Sequence, residues 1–398
     1  MECFSVKIKT ITPTFSGRSS NDAGLLPQSI RGVMRFWFRA CLPMVYDFKD
    51  NYTKLNEIEE LIFGSTNMKS PFDILVDYDK STLKCGLTSS MEKYKYVFCR
   101  ETQRSYIEEN TDIKITFIIK KKIFKDIDKL LFYILELTSH FGGFGMRSRK
   151  GFGSFEISSS DLSKVFFGKT HIFIIENIKN YLIELIKVKY DCFISEPYSL
   201  KGIAPYPMFL KDNYFTEDNG SFSTIHCLFY ELYSADGKYK RLRKNLRGKG
   251  KNSDSVSLAI KHLKTNNLKE KILFKQSILG LPVIYKIASE KKARFKELYE
   301  LNTQDRKGST LFISVHKDSS SQKFFYRILF INSNLGNNLT FSKKNKNQSD
   351  QKISYSSKNT FKIQGIPFND QDELKKELEK SQLLKKSTEV NKLVDQSG

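Results

Sequence analysis

Apolar positions along the first 160 residues alternate between two periods. Residues 3–10 put Phe4, Val6 and Ile8 on one face of a half-buried strand. After the turn-rich segment TPTFSGRSSNDAG, an apolar run from Ile30 to about Leu42 takes helical spacing, with Ser29 placed to cap it. Residues 47–62 are again helical, ending at Phe63-Gly64-Ser65. Two alternating strands follow, FDILVD from Phe72 and a second from Asp112 to Lys120. Asp126 is placed to cap a long helix whose apolar positions recur from 127 to 141. A glycine-rich run then leads into a closing strand over Gly153 to Ser158.

This β-α-β-β-α-β order predicts a ferredoxin-like (RRM-like) sandwich. Residues 166–195 add a strand and a long helix carrying Ile174, Ile178, Tyr181, Leu182, Leu185 and Ile186, a connector. The remainder reads as an echo of the first half. Phe222 to Leu232 stands as its first strand and Ser255 to Leu263 as its first helix. Leu279-Gly280-Leu281-Pro282 takes the place of Phe63-Gly64-Ser65, and Arg306 to Thr310 opens the strand LFISVH. FFYRILF (324–330) and FKIQGI (361–366) are further strands, and a helix follows Asn369. The expected fold class is therefore α+β, two ferredoxin-like domains in tandem, the second diverged and carrying insertions. The domains are 1–165 and 196–380, with 166–195 the connector and 381–398 a flexible tail. The insertions are 238–251, KYKRLRKNLRGKGK, and an Asn-, Ser- and Lys-rich stretch at 332–360 expected to be disordered.

GGFGMRSRKGFGS, residues 142–154, is the most distinctive stretch. It holds five glycines (Gly142, Gly143, Gly145, Gly151, Gly153) and three cations (Arg147, Arg149, Lys150). Glycines allow φ > 0 and close backbone approach, so amide groups can line a concave surface, and the cations suit a chain of phosphates. The plain alternative is a basic flexible surface loop, which would not need the aromatics Phe144 and Phe152. No Gly-Lys-Ser/Thr occurs, which excludes a P-loop. The helix-loop-strand order excludes a dinucleotide fingerprint.

The helix from Ile30 is apolar apart from Arg31, Arg35 and Arg39, which fall at i, i+4 and i+8 on one stripe. No carboxylate accompanies them in that helix, which favours phosphate contact over a solvated stripe. Trp37, on the same helix, and Arg18, in the preceding turn, join the candidate RNA contacts. The basic insertion contributes Arg241, Arg243, Lys244 and Arg247 and reads equally as a solvated loop or an RNA-ordered one.

Charge sharpens this reading. Sixty-six Lys and Arg against 44 Asp and Glu give +22, and aromatics at 13% supply stacking faces. Central-strand aromatics of the RNP1 pattern are missing, and Asp73 and Asp77 occupy the opposite face of their strand, so loops and the first helix rather than the sheet are the expected RNA contacts. The six cysteines show no C-x-x-C pair and no shared spacing with the five histidines, which argues against zinc and disulfides and for a reducing cytoplasm. No membrane span and no cofactor are expected.

Three segments together resemble the RAMP superfamily of CRISPR-associated proteins, and within it the first subunit of the type III-B Cmr complex. They are Thr12 to Gly17 with SIRGVMRFWFRA, the glycine loop, and GLPVIYK with RKGSTLFISV. The resemblance implies two ferredoxin-like domains and a non-catalytic, RNA-binding place in an antiviral ribonucleoprotein, near the 3′ part of the guide RNA. Implied partners are guide RNA, target RNA and other RAMP subunits. Gly308-Ser309-Thr310 departs from the family's usual sequence, as do the two insertions.

The rival class is a metal-independent endoribonuclease that processes guide RNA. Such chemistry needs a group titrating near neutrality, and His140, two residues before the glycine loop, is the one candidate.

Overall fold

β1 (Glu2–Thr10) is the strand that the alternation predicts, with Phe4, Val6 and Ile8 buried. A computed structural model of the chain describes residues 2–19, 22–47, 52–93, 97, 104–190, 208–209, 214–247, 255–265, 272–279, 283–288, 296–302, 309–331, 339–344, 362–367, 371–383 and 391–392. The chain divides into two compact units. One comprises Met1–Gly237, Leu311–Asn332 and Lys385–Gly398, the other Lys238–Thr310 and Ser333–Leu384.

In the first unit, β1 leads through the ribbon β2 (Gly17–Ser19) and β3 (Asp22–Ala23) into α1 (Pro27–Cys41). α2 (Tyr52–Phe63) and β4 (Phe72–Tyr78) follow, then β5 (Leu83–Cys85), the single turn α3 (Ser89–Glu92) and β6 (Ser105–Ile107). β7 (Asp112–Ile119), α4 (Ile127–Phe141), β8 (Phe155–Ser160) and α5 (His171–Tyr190) complete the first layer. Its sheet runs β4-β7-β1-β8, antiparallel throughout. Register places Phe4, Phe117 and Ile74 in one row and Val6, Ile115 and Val76 in the next. The Phe4 and Phe117 rings stack with centroids 4.8 Å apart. α1 and α4 cover this face, and each fully buried Phe or Ile in it contributes roughly 1.5–3 kcal/mol.

α1 begins earlier than its capping residue suggested. Leu26 stands at the cap and Pro27 opens the helix, where its missing N–H costs nothing, so Ser29 lies inside. Among the described residues of 161–170 there is no strand ahead of α5.

The same unit holds a second antiparallel sheet. β9 (Tyr214–Phe222) and α6 (Ile225–Tyr233) are followed much later by β13 (Leu311–Lys317), β14 (Phe324–Phe330) and β17 (Asn391–Lys392). The order is β13-β14-β9-β17. In both sheets the strands thus run second, third, first, fourth along the chain. The strand expected at 222–232 is a correction. Ile225, Leu228, Phe229, Leu232 and Tyr233 are buried at helical spacing, and Thr224 accepts the Cys227 amide at 3.1 Å as an N-cap.

The second unit contains α7 (Lys238–Arg247), α8 (Ser255–Lys264), β10 (Ile272–Phe274), β11 (Val283–Ala288), β12 (Lys296–Asn302), β15 (Leu339–Lys344), β16 (Lys362–Pro367) and α9 (Gln371–Lys380). Its sheet is β10-β16-β15-β12-β11, over a core of Val256, Ala259, Ile272, Phe274, Leu301 and Leu339. The helix expected as α1's echo and the strand FKIQGI belong here rather than with β13 and β14. The stretch expected to be disordered at 332–360 contributes β15; its residues 332–338 and 345–360 lie outside the described residues, as do 248–254, 280–282 and 303–308.

Candidate nucleic-acid interface

The glycine loop is packed rather than open. Its amides answer neighbouring carbonyls: Phe144 N–H donates to Gly153 O at 2.9 Å, Met146 to Phe15 O at 2.7 Å and Gly153 to Pro13 O at 3.0 Å. Thr12 Oγ1 donates to Gly151 O at 2.8 Å and accepts the Ser154 amide at 2.9 Å. The TPTFSG segment and the glycine loop therefore zip together. A Cβ on Gly143 would stand 2.6 Å from Gly153 O, and one on Gly145 2.5 Å from Phe15 O. Close approach between backbones, not an anion cradle, explains these glycines. Phe144 stacks on Phe155 at 4.5 Å and Phe152 on Phe229 at 4.4 Å, so both aromatics are core.

The loop also ties the two sheets of its unit. Gly151 lies against Val315 and Phe229, Ser154 Oγ accepts the Val315 amide at 3.0 Å, and Tyr233 Oη donates to Lys150 O at 2.8 Å. Arg149 fills the seam. Its guanidinium sits 4.9 Å from the Phe36 ring and 4.6 Å from that of Phe312, and burial pulls its pKa down to about 10. It is still charged at neutral pH, held between aromatics. Trp37 is 1% exposed, against Gly142 and stacked with Phe209, and presents no face to a base. Arg147, in the left-handed region at φ 64°, and Lys150 are half exposed.

The arginine stripe of α1 finds carboxylates on other elements, which corrects the expectation of an unaccompanied triad. Arg35 and Arg39 each place Nε 3.1 Å from Glu59 on α2, and Arg31 lies 3.9 Å from Asp73 on β4. Arg31 also donates to Phe72 O at 3.0 Å and Arg35 to Gly64 O at 2.5 Å. Burial pushes the Glu59 carboxyl above its ordinary range, and Arg39 and Arg35 draw it partly back. Sequence offered one signal for this. Leu55, Ile58 and Ile62 define the buried face of α2, and Glu59 falls on it. The glycine loop does meet α1, but through Phe36 and Trp37 rather than through the arginines.

In the second unit, 238–247 is not a loop but the amphipathic helix α7. Tyr239, Leu242 and Leu246 are buried, while Lys240 and Lys244 are exposed one turn apart. Arg241 donates to Ser381 O at 3.3 Å and Gln382 Oε1 at 2.9 Å. Arg243 and Arg247 are half exposed. Lys240 joins the surface that sequence alone assigned to Arg243, Lys244 and Arg247. The Arg18 side chain lies outside the described residues.

His140 is half-buried in the first unit, and desolvation with nearby Arg327 and His171 lowers its pKa to about 3. Its carbonyl accepts Ser314 Oγ at 2.9 Å and His316 Nε2 at 3.1 Å. A group so placed is uncharged at neutral pH and takes up a proton only weakly, so it suits neither general acid nor general base work. Among the described residues, no cluster of His, Cys, Asp and Glu is placed to hold a metal ion.

Residues 7–156, from β1 through the glycine loop, match the model of the RAMP superfamily. A Pyrococcus furiosus protein, CRISPR system Cmr subunit Cmr1-2, is 30% identical over 174 residues, covering 38% of this chain and 92% of that protein. Cmr1-1 of the same organism is 32% identical over 137 residues, covering 32% of this chain and 39% of that protein. The crystal structure of apo Cmr1 from Pyrococcus furiosus superposes with TM-score 0.51 at 21% identity, over 84% of this chain and 88% of that one. A chain of the type III-B Cmr-beta assembly bound to cognate target RNA gives 0.53 at 15%, over 96% and 99%. The last two are likenesses of fold. The protein is thus of the RAMP class. Within that superfamily, the chain belongs to the Cmr1 family.

Proposed function

We propose that this chain is an RNA-binding, non-catalytic subunit of a cytoplasmic type III-B CRISPR ribonucleoprotein, touching guide or target RNA near the guide 3′ end. The Cmr1 relative matched over 92% of its length carries the assignment to such a complex. The shared strand order of the two sheets in the first unit supports a tandem of ferredoxin-like folds, with the second unit inserted into the later one. On this reading the limits 1–165 and 196–380 describe the repeat only in part, because β17 (Asn391–Lys392) joins the later sheet from within the expected tail, and the second compact unit is the inserted segment.

RNA contact rests on the cations that reach solvent, Lys240 and Lys244 fully and the others in part. Lys240, Arg243, Lys244 and Arg247 on α7, with Arg147 and Lys150 on the glycine loop, are the contacts this reading favours. No described group combines burial, a near-neutral pKa and the position of a general base beside the loop, which favours a binder over a nuclease. The test is RNA affinity across salt concentrations. Wild type should show log K falling with log salt by roughly 0.7 per phosphate neutralised. Lys240→Glu with Lys244→Glu should flatten that slope by about one to two units. A slope unchanged in the variant removes α7 from the interface, and a zero slope in the wild type removes the function.

A further inference from the structure

The segment joining β8 to α5 carries an unusual surface. Phe166, Phe167 and Ile172 are 58%, 40% and 50% exposed within seven residues of sequence. Connections over a protein surface ordinarily expose polar side chains. This one is also held from beneath. The Gly168 amide donates to Glu136 Oε1 at 2.7 Å, and the Phe166 amide to Tyr133 Oη at 3.4 Å. Glu136 itself is buried in α4, an expensive place for a carboxyl. What that carboxyl does is fix the backbone from which the two phenylalanines project. The ring of Phe166 is further set edge-on against Phe173 at 6.3 Å.

We infer that Phe166, Phe167 and Ile172 form a pre-ordered apolar knob that docks into a socket on another protein subunit of the ribonucleoprotein, a socket edged by carboxylates. The subunit setting rests on the function proposed above; the knob and its chemistry rest on the surface itself. Fixing the loop before association removes part of the ordering cost of binding, which is how a small aromatic anchor carries much of an interface. The exposed cations Lys164 and Lys169 flank the knob and set the acidic rim of the partner. Single-stranded RNA fits less well. Ile172 has no flat face for a base, and the Lys169 ammonium already lies 5.9 Å from the Phe166 ring centre.

The test is co-expression of the full chain with the remaining protein subunits and guide RNA of its own complex, followed by isolation through a tag on another subunit. Phe166→Ser with Phe167→Ser should lower incorporation at least tenfold. Melting temperature and the isolated chain's RNA affinity should stay as in wild type. Lys164→Glu with Lys169→Glu should lower incorporation severalfold, and decides the matter if the serine pair proves unstable. Undiminished incorporation of either folded variant overturns the knob. So does lost RNA affinity with incorporation intact, which makes the surface a base-stacking site. Wild type that fails to incorporate fails the subunit reading itself, together with the knob that depends on it.

Discussion

Arg327 Nη1 donates a hydrogen bond to His140 Nδ1 across 3.0 Å, while its Nε meets Glu217 Oε2 at 2.8 Å. One guanidinium thus occupies the histidine's acceptor nitrogen and adds a positive charge beside it, so a proton at Nδ1 is opposed twice. His171 shares the neighbourhood, its pKa lowered to about 4 by burial and Arg327, with Glu217 acting the other way. His316 is driven well below its ordinary value by burial, Arg327 and His140.

This cluster makes the fold acid-sensitive. Above pH 6.5 these histidines are neutral folded and unfolded and add no pH dependence. Below 6.5 the unfolded chain takes up protons that the folded chain refuses, and stability falls until the folded values near 4 and 3 are reached. Each histidine contributes a slope of up to about 1.4 kcal/mol per pH unit, less for His171, which water partly screens. Urea unfolding of wild type and His140→Asn at pH 7 and pH 5 checks this, since asparagine keeps an acceptor for Arg327 without titrating. The wild type should lose more stability between those pH values than the variant; equal losses would remove His140 from the cluster's titration.

Glu136 opposes that trend. Burial raises its pKa to about 8, against amide hydrogen bonds from Gly168 and Lys169 that lower it. Between about pH 4.5 and 8 the folded state holds a proton that the unfolded state has released, so stability declines as pH rises. Glu136→Gln should therefore gain on wild type from pH 5 to pH 8 by roughly 1 kcal/mol or more. A constant difference between the two across that range would place the carboxyl in water.

Glu59 predicts a stability effect where sequence alone pointed to RNA. Glu59→Gln leaves Arg35 and Arg39 without their shared carboxylate. It should destabilise by about 1–3 kcal/mol, toward the low end because both guanidiniums are partly exposed. RNA affinity of the folded variant should change less than twofold. Loss of affinity without loss of melting temperature would return the stripe to the binding surface.

The reach of the sequence follows from the range of the interactions involved. β1, β4, β7 and α4 are legible because the apolar period is sustained over seven or more residues, as Phe4, Val6 and Ile8 show. α1's arginines are legible as a stripe, yet their meaning depends on Glu59, twenty residues beyond Arg39 and on another helix. α6 was hidden because nine residues rich in Ile, Leu, Phe and Tyr suit either element until the Thr224 cap is seen. The division of the chain was least legible. β13 rejoins the first unit more than seventy residues after α6 leaves it, and no local period encodes that return. The glycine loop is legible by composition, but what its glycines admit is not: spacing cannot tell a glycine that admits a ligand from one that admits a neighbouring backbone, as Gly145 does Phe15 and Gly153 does Phe144.

Two glycines of similar φ separate those uses. Gly153 has φ +69°, and a Cβ there would stand 1.9 Å from Phe144 O, a backbone atom that cannot step aside. Gly168 has the same φ of +69° with nothing within 4 Å. Gly168→Ala therefore isolates the cost of the left-handed backbone, about 1–2 kcal/mol. Gly153→Ala adds a clash that must part the two arms of the glycine loop, breaking the 2.9 Å bond from Phe144 to Gly153 and straining the 3.0 Å bond from Gly153 to Pro13. Its loss should be at least about 3 kcal/mol, the strain together with one or both of those bonds. Chemical denaturation of the two variants side by side makes the comparison. Equal destabilisation would mean that the loop relaxes around Phe144 at little cost, and Gly153 would then serve conformation alone.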